Sequence, residues 1–430
     1  YIRVLDAMPA IKNLLFIVLG LLAGMATVLL YQSQYHIKKN ADSAGLEEAY
    51  QALSLAVSDA GTFVQNHQWY GSEREQAEAY RHIVRALISS LELKALSDTD
   101  FPFFHEMTTS SKTGMDNSDQ RYLITMIHGE GTYRVWGNRG STRRLNFTLY
   151  PDGSPMAPSY ATLTSDDLTV NDDGSFELFL GGEKQEPNWL PLKPERFRLL
   201  IRQIHADWDH EMAGNIHIDR IDEDRPLYPT LSKGRMTANL DHATHDFTTN
   251  VQLWPELSRT RFALLMPPNA LTPPQDTGIE GGLTGRWMVG GHFNLADDEA
   301  LIISTRKTEA KYQSIQLGHH WWESLDYANR QTSLTADQSY VDTAGNIHYV
   351  ISQADPQIQN WLDTEGFTRG VVLMRFDGLD RPLSESERPT SRLIKLNALE
   401  NILPNSNFTK SQREEEILSR RRHIQKRYNY

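Results

Sequence analysis

The 430-residue chain contains no cysteine. Disulfide bonds, thiolate metal sites and cysteine nucleophiles are therefore excluded. The sequence also lacks a Gly-x-Ser-x-Gly elbow, a Walker loop and a dinucleotide fingerprint, so no standard motif indicates a reaction or a cofactor. Basic residues are outnumbered, and the formal net charge of -12 disfavours a nucleic-acid partner, which requires a basic face. We predict neither a cofactor nor nucleic-acid binding.

Long hydrophobic runs are rare, and the one exception is near the start of the chain. Residues 14–31 read LLFIVLGLLAGMATVLLY, without a charged side chain. As a helix this run would be about 27 Å long, close to the hydrocarbon thickness of a bilayer. We predict a transmembrane anchor, with a cleaved signal peptide as the alternative. Basic residues flank the run on both sides, so the positive-inside rule does not decide its orientation.

The remaining chain alternates between helical and β periodicity. Apolar residues recur every three to four positions in residues 43–96 and 229–265, which predicts amphipathic helices. Alternation of apolar and polar residues between glycine turns predicts antiparallel strands in the two intervening regions. The predicted organisation is an anchor and its flanks (1–42), a helical segment (43–120), a first β-sandwich module (121–228), a helical connector and Pro-rich loop (229–282), a second β-sandwich module (283–385) and a charged helical tail (386–430).

The two β regions share an ordered pattern. Gly174 matches Gly345 and Asn188 matches Asn360, at offsets of 171 and 172 residues. The two asparagines begin the tripeptide Asn-Trp-Leu in both copies. Each tripeptide precedes a strand that carries an arginine, which is Arg202 in the first copy and Arg375 in the second. A constant offset of this kind indicates duplication. The predicted fold is therefore mainly β with helical additions: two related antiparallel β-sandwich modules of jelly-roll type. The alternative is a single large sandwich built from both halves of the chain.

Two segments carry a family resemblance. NWLPLKPERFRLLIRQIHADW and RQTSLTADQSYVDTAGNIHYVISQADPQIQNWLDTEGFTRGVVLMRF resemble the bacterial family called domain of unknown function twelve-fourteen, which often occurs with its sister, twelve-fifty-four. The resemblance covers roughly residues 120–380, and the terminal RRRHIQKRY is also similar. It implies a jelly-roll type β fold and an envelope location, without an established activity. We accordingly predict a single-pass protein of the bacterial inner membrane with a periplasmic body.

The repeated Asn-Trp pairs are the first candidate ligand site. At Asn188–Trp189 and Asn360–Trp361, an indole can stack on a sugar ring while the amide binds its hydroxyls. The structural alternative is a tryptophan that fills the end of a sandwich core beside an asparagine that caps a turn. Occurrence at equivalent points of both copies favours the structural role.

Two further clusters are candidates for binding. His205, Asp207 and Asp209 alternate, so on a strand they would share one face and suit a divalent metal. The alternative is a solvated strand end at which Asp207 pairs with Arg202 or Arg220. Adjacent Trp321 and Trp322 would point to opposite faces of a strand, which predicts one exposed indole at a ligand or partner surface.

These features support two functional hypotheses. The preferred one is an anchored accessory or scaffold subunit of a membrane complex, which contacts lipid through residues 14–31 and has an integral membrane protein as its partner. The other is an envelope protein that binds or processes glycans on a jelly-roll scaffold. No sequence feature selects catalytic residues, so enzymatic activity is left undecided.

Overall fold

The computed structural model describes residues 43–280, 282, 285–403 and 408–428. Four mainly antiparallel sheets and a few helices make up this part of the chain, which confirms the predicted mainly β architecture. The predicted anchor at residues 14–31 lies outside the described residues. Within them, no helix has both the length and the hydropathy that crossing a bilayer requires.

The first two sheets enclose one hydrophobic core. Alternate residues of their strands, such as Phe147, Phe197 and Leu199, point into this core and are fully buried. The first sheet has the order β1 (His105–Met107), β2 (Gln120–His128), β8 (Arg196–Ile204), β4 (Arg144–Pro151), β5 (Ala161–Thr164); the second has the order β7 (Trp189–Leu190), β6 (Ser175–Leu180), β3 (Tyr133–Asn138), β9 (Ile216–Arg220).

The other two sheets enclose a second core, around Phe293, Ile315 and Phe376. Their strand orders are β10 (Gln275–Asp276), β11 (Arg286–Asn294), β18 (Arg369–Asp377), β13 (Tyr312–His319), β14 (Glu323–Ser324), with β15 (Ser333–Thr335) also paired to β13; and β17 (Trp361–Asp363), β16 (Asn346–Ser352), β12 (Glu299–Arg306), β19 (Thr390–Lys395).

The two pairs of sheets have the same connectivity. The four-stranded sheets have the spatial strand orders β7-β6-β3-β9 and β17-β16-β12-β19, which are the same when the strands are counted along the chain, and β6–β7 and β16–β17 are both parallel pairs. Each sheet takes all its strands from one half of the chain, so the described residues do not form a single large sandwich. Strands β1, β10 and β19 lie outside the predicted module ranges 121–228 and 283–385, and β2 starts one residue before the first range.

A helical layer packs beside the sheets. Ser72 forms a capping box with Glu75 at the start of the second helix, and Phe247 and Val251 of the third are buried as its apolar stripe predicts. Tyr50 and Tyr80, both within the predicted helical range 43–96, are exposed. The helices are α1 (Leu46–Asn66), α2 (Glu73–Ser90) with a π-helical turn (Leu91–Ala95), α3 (Lys233–Ser258) with another (Arg259–Leu264), α4 (Leu399–Ile402) and α5 (Lys410–Tyr428).

Candidate ligand cavity

The repeated Asn-Trp pairs bind backbone in the same way in both halves. Asn188 donates to the Thr169 carbonyl over 2.8 Å and accepts from the Thr169 N–H over 2.9 Å. Asn360 makes the same two bonds to Tyr340, each 2.8 Å long. The Trp189 and Trp361 indoles donate to the carbonyls of Gly181 and Ser352. The side-chain amides and the indole N–H groups of both pairs are thus already engaged by the protein.

His205, Asp207 and Asp209 do not share a face. Strand β8 ends at Ile204, so the alternation expected of a strand does not apply to the loop that follows. His205 is buried, Asp209 is exposed, and Asp207 accepts from His210 over 2.8 Å instead of pairing with Arg202 or Arg220. Among the described residues, no three or more His, Asp or Glu side chains are grouped to hold a metal.

The expectation of one exposed indole at Trp321 and Trp322 is wrong. The pair lies in the tight turn between β13 and β14, where Trp322 has a φ of 65°, so strand alternation does not apply. Both side chains are buried. Trp321 packs into the core of the helical layer, and the ring of Trp322 stacks on Phe262 with centroids 5.5 Å apart.

A cavity of about 220 Å³ lies where the helical layer meets both pairs of sheets. It is bordered by the faces of β2, β8, β11 and β18 that point away from the two sandwich cores, and by α3 and its π-helical turn. Much of its wall is apolar, with methionine and tryptophan prominent. These apolar residues are Leu93, Met107, Met115, Ile124, Met156, Leu200, Trp254, Leu257, Met288, Trp322 and Leu373.

Arginines from equivalent strands project into this cavity. Arg198 and Arg202 lie on β8, while Arg375 lies on β18, the matching strand of the second pair. Because Phe197, Leu199 and Ile201 of β8 fill the sandwich core, the intervening arginines must point to the other face. The same alternation on β18 places Arg375 opposite the core residues Met374 and Phe376.

The three guanidinium groups are not neutralised by carboxylates. Arg202 donates to the hydroxyls of Thr148 and Tyr150 over 3.2 and 3.0 Å, and Arg375 donates to the Met115 carbonyl over 3.0 Å. Arg198 stacks on Tyr150, and one terminal nitrogen of Arg375 is buried with no partner. Within the described residues none of the three arginines forms an ion pair. The cavity wall also includes two carboxylates, Asp116 and Asp246, but six of its side chains are Lys or Arg, so positive charge is in excess.

Burial makes this charge costly. It lowers the pKa of both the Arg198 and the Arg375 guanidinium groups, because desolvation disfavours the charged form. Other cations at the cavity are paired, since Arg286 binds Asp377 over 2.8 Å and Lys94 binds Asp152. An anion entering the cavity would offset the desolvation of the unpaired arginines and satisfy their free donors.

Sequence reasoning did not identify this cavity. Arg202 and Arg375 attract attention in the sequence only as markers of the duplication. The sequence feature that could have identified these residues is an arginine at the equivalent position of one strand in each copy. On both strands this arginine lies on the face opposite the apolar core residues.

Comparisons with known proteins support part of the family resemblance. A family model described as "Protein of unknown function (DUF1214)" matches residues 108–207, which includes most of the strands of the first pair of sheets. The comparisons support neither the wider resemblance to residue 380 nor the pairing with a sister family. No curated protein sequence matches the chain.

One solved structure shares the architecture over most of the chain. An uncharacterized protein from Burkholderia cenocepacia is similar with a TM-score of 0.74 and 25% identity, over 82% of this chain and 98% of that one. The VPA0106 protein from Vibrio parahaemolyticus matches 80% of this chain and 100% of its own at a TM-score of 0.42 and 12% identity, which is too distant to carry an argument. The chain is thus similar to a crystallised bacterial protein along nearly all of that protein's length.

Proposed function

We propose that this protein binds a small organic anion in the cavity between its two pairs of sheets. The observation that carries the proposal is the meeting of Arg198, Arg202 and Arg375, none of them ion-paired, with a largely apolar wall. Guanidinium groups bind carboxylates and phosphates through parallel hydrogen bonds. The apolar wall provides a surface for the uncharged body of the same ligand.

Volume and chemistry limit the ligand. A cavity of 220 Å³ exceeds the ~150 Å³ that holds a benzene molecule and is smaller than the roughly 300–1,000 Å³ typical of drug-sized ligands. We therefore propose a compact carboxylate with an aromatic or short aliphatic body. Methionines at the wall suit such a ligand because their flexible thioethers adapt to different shapes.

Calorimetric titration with benzoate and octanoate tests the proposal. Each acid is paired with its neutral alcohol, which keeps the apolar body and removes the charge. We expect the acids to bind at least about tenfold more tightly, the usual effect of a hydrogen bond to a charged group. Replacement of Arg375 by Met should weaken acid binding and leave the alcohols unaffected.

The matched control is Arg392→Met, which makes the same charge change at an exposed position of β19, outside the cavity. It should bind the acids like the original protein. Arg202→Met provides a second cavity variant in case Arg375→Met folds poorly. Equal affinity for acids and alcohols, or equal losses in Arg202→Met and Arg392→Met, would overturn the proposal.

We also propose that each pair of sheets is a jelly-roll-like module, and that residues 14–31 anchor the chain in the bacterial inner membrane with its body in the periplasm. The uncharged apolar run supports an anchor, and a partner among integral membrane proteins would fit an accessory subunit. Carbonate extraction of the full chain and of residues 43–430 checks the anchor: only the full chain should remain with the membrane. We propose no glycan function, because both Trp321 and Trp322 are buried.

A further inference from the structure

A second cavity of about 220 Å³ lies where α5 packs against the end of the first pair of sheets. Its wall is polar, unlike that of the first cavity, and its principal residues come from β2, from the loop after β8 and from α5. They are Arg121, His205, Glu211, His423, Lys426 and Arg427. Three of these side chains are cationic and one is a carboxylate.

The Glu211 carboxylate at this cavity is already hydrogen-bonded to other groups of the protein. One oxygen of Glu211 accepts from the backbone N–H groups of Ala206 and Arg143 over 2.8 and 3.0 Å, and the other accepts from the Arg143 guanidinium. Glu106 neutralises Arg121 from outside the cavity. Arg427 is buried and forms no ion pair within the described residues, and exposed Lys426 likewise has none. A net positive charge therefore faces the cavity.

Arg427 is held in place by neutral partners. It donates to the Ser118 carbonyl over 2.6 Å and, through Nε, to His423 Nε2 over 3.0 Å. His423 in turn donates from Nδ1 to the Trp208 carbonyl, which leaves Nε2 as the acceptor that Arg427 uses. The guanidinium is thus positioned without a direct ion pair in the described residues. The carboxylate of nearby Asp119 accepts hydrogen bonds from Trp208 and Tyr312 instead, so Arg427 can still pair with an anion.

His205 supplies an unusual acceptor. Its side chain is only 1% exposed, and Nδ1 lies 3.3 Å from the Asp119 carbonyl, to which it donates. Nε2 then carries a lone pair, and it has no hydrogen-bond partner within the described residues. Burial, followed by the charge of Arg427, holds the pKa of His205 well below its usual value, so the ring is neutral. A neutral Nε2 can be satisfied only by a hydrogen-bond donor.

We propose that this cavity binds a phosphate group that carries a proton. Its unprotonated oxygens accept from Arg427 and Lys426, while its hydroxyl donates to His205 Nε2. Sulfate has the same size and shape but no proton at neutral pH, so it would leave Nε2 without a donor and place an oxygen against its lone pair. The site therefore selects hydrogen phosphate over sulfate, and it joins α5 to the loop after β8.

Calorimetric titration of the full chain with inorganic phosphate, methyl phosphate and sulfate at constant ionic strength tests the proposal. We expect phosphate to bind at least about tenfold more tightly than sulfate, because sulfate leaves a buried acceptor unpaired. Methyl phosphate, titrated at about pH 5, separates an esterified from a free source of the group. The second pKa of a phosphate monoester is about 6, so at this pH the ester carries the required proton, and tighter binding than inorganic phosphate would indicate an ester. Binding of either above sulfate supports the site.

Two exposed residues of α5 provide a matched pair of variants that should fold normally. Lys426→Met removes a charge from the cavity wall, while Arg422→Met removes one outside it. We expect Lys426→Met to weaken phosphate binding by about three- to tenfold and Arg422→Met to have no effect. Arg375→Met, in the other cavity, should also leave phosphate binding unchanged. Equal binding of phosphate and sulfate, or equal behaviour of Lys426→Met and Arg422→Met, would overturn the proposal.

Discussion

Asn188 and Asn360 each hold a loop to a strand through both atoms of their amide groups. Replacement of either by Ala leaves a backbone N–H and a carbonyl without their partner, at Thr169 and Tyr340 respectively. We predict that both substitutions lower the free energy of unfolding by about 1–3 kcal/mol. Urea denaturation measures this loss, with Asn401→Ala on α4 as the exposed control. A neutral Asn360→Ala would contradict the structural role.

Glu323 is the centre of a buried charge cluster that links α2 to strand β14. It accepts from His82 over 2.8 Å and is ion-paired with Arg85. Burial by itself would raise the pKa of Glu323, but the hydrogen bond and charge of His82 and the charge of Arg85 bring it down to about 2. The ordinary pKa of 4.5 applies to the unfolded chain. The ionised form is therefore stabilised by folding.

This shift predicts a specific pH dependence. Since the folded pKa is depressed, the stabilisation is fully present above about pH 4.5 and is lost as the pH falls towards about 2. Glu323→Gln should cost about 3 kcal/mol at pH 7, and less than about half of that difference should remain at pH 3. Urea denaturation of both proteins at the two pH values measures the change. A difference that is independent of pH would contradict the assignment.

At the scale of elements, Trp208 is the central aromatic contact between helix α5 and the first pair of sheets. Trp208 lies 4.5 and 4.6 Å from the guanidinium groups of Arg420 and Arg427, and its ring stacks on His423. The spacing of these three residues places them on one face of α5. The charged tail that the sequence predicts is therefore a docked helix, because its arginines bury against an aromatic ring.

This packing predicts that Trp208→Ala releases α5. We expect a loss of about 3–5 kcal/mol, typical of removing a buried tryptophan, and faster proteolysis between residues 410 and 428. Trp136→Ala, at a tryptophan that is 37% exposed, is the control and should have a smaller effect. Retention of protease resistance in Trp208→Ala would show that other contacts hold the helix.

At the scale of the whole molecule, buried polar contacts connect the two pairs of sheets. The Tyr312 hydroxyl on β13 lies 2.7 Å from Asp119, which precedes β2, and Thr335 donates to the Ala206 carbonyl. Helices from before the first pair and from between the pairs share one core with Trp321 of the second pair. If either pair of sheets unfolded, the residues of the other pair that are buried in these contacts would become exposed to solvent.

We accordingly predict that the two pairs of sheets and the helical layer unfold together in a single cooperative thermal transition. Scanning calorimetry should show one peak, because separating the pairs exposes buried polar groups and the shared helical core. Tyr312→Phe should shift this peak to lower temperature without splitting it. Two resolved transitions would show that the pairs of sheets unfold independently.

Local patterns were sufficient where neighbours in sequence decide the outcome. The buried stripe of α3 and the strand alternation of β8 each depend on residues within a few positions of one another. The repeated Asn-Trp-Leu makes equivalent hydrogen bonds to a loop in both halves, as its predicted structural role requires. The prediction that alternate side chains point to opposite faces is wrong for residues 205–209 and for Trp321–Trp322. Each segment lies beyond the end of a strand, where this alternation does not apply.

The sequence by itself determined the absence of cysteine chemistry and the mainly β character, since composition and periodicity are properties of the chain alone. Only the tertiary structure decided which polar groups meet. Arg202 and Arg375 are separated by a whole module in the chain yet line one cavity, and His205 faces Arg427 more than 200 residues away in sequence. Burial and charge balance depend on such long-range packing, so the two proposed anion sites became visible only in the fold.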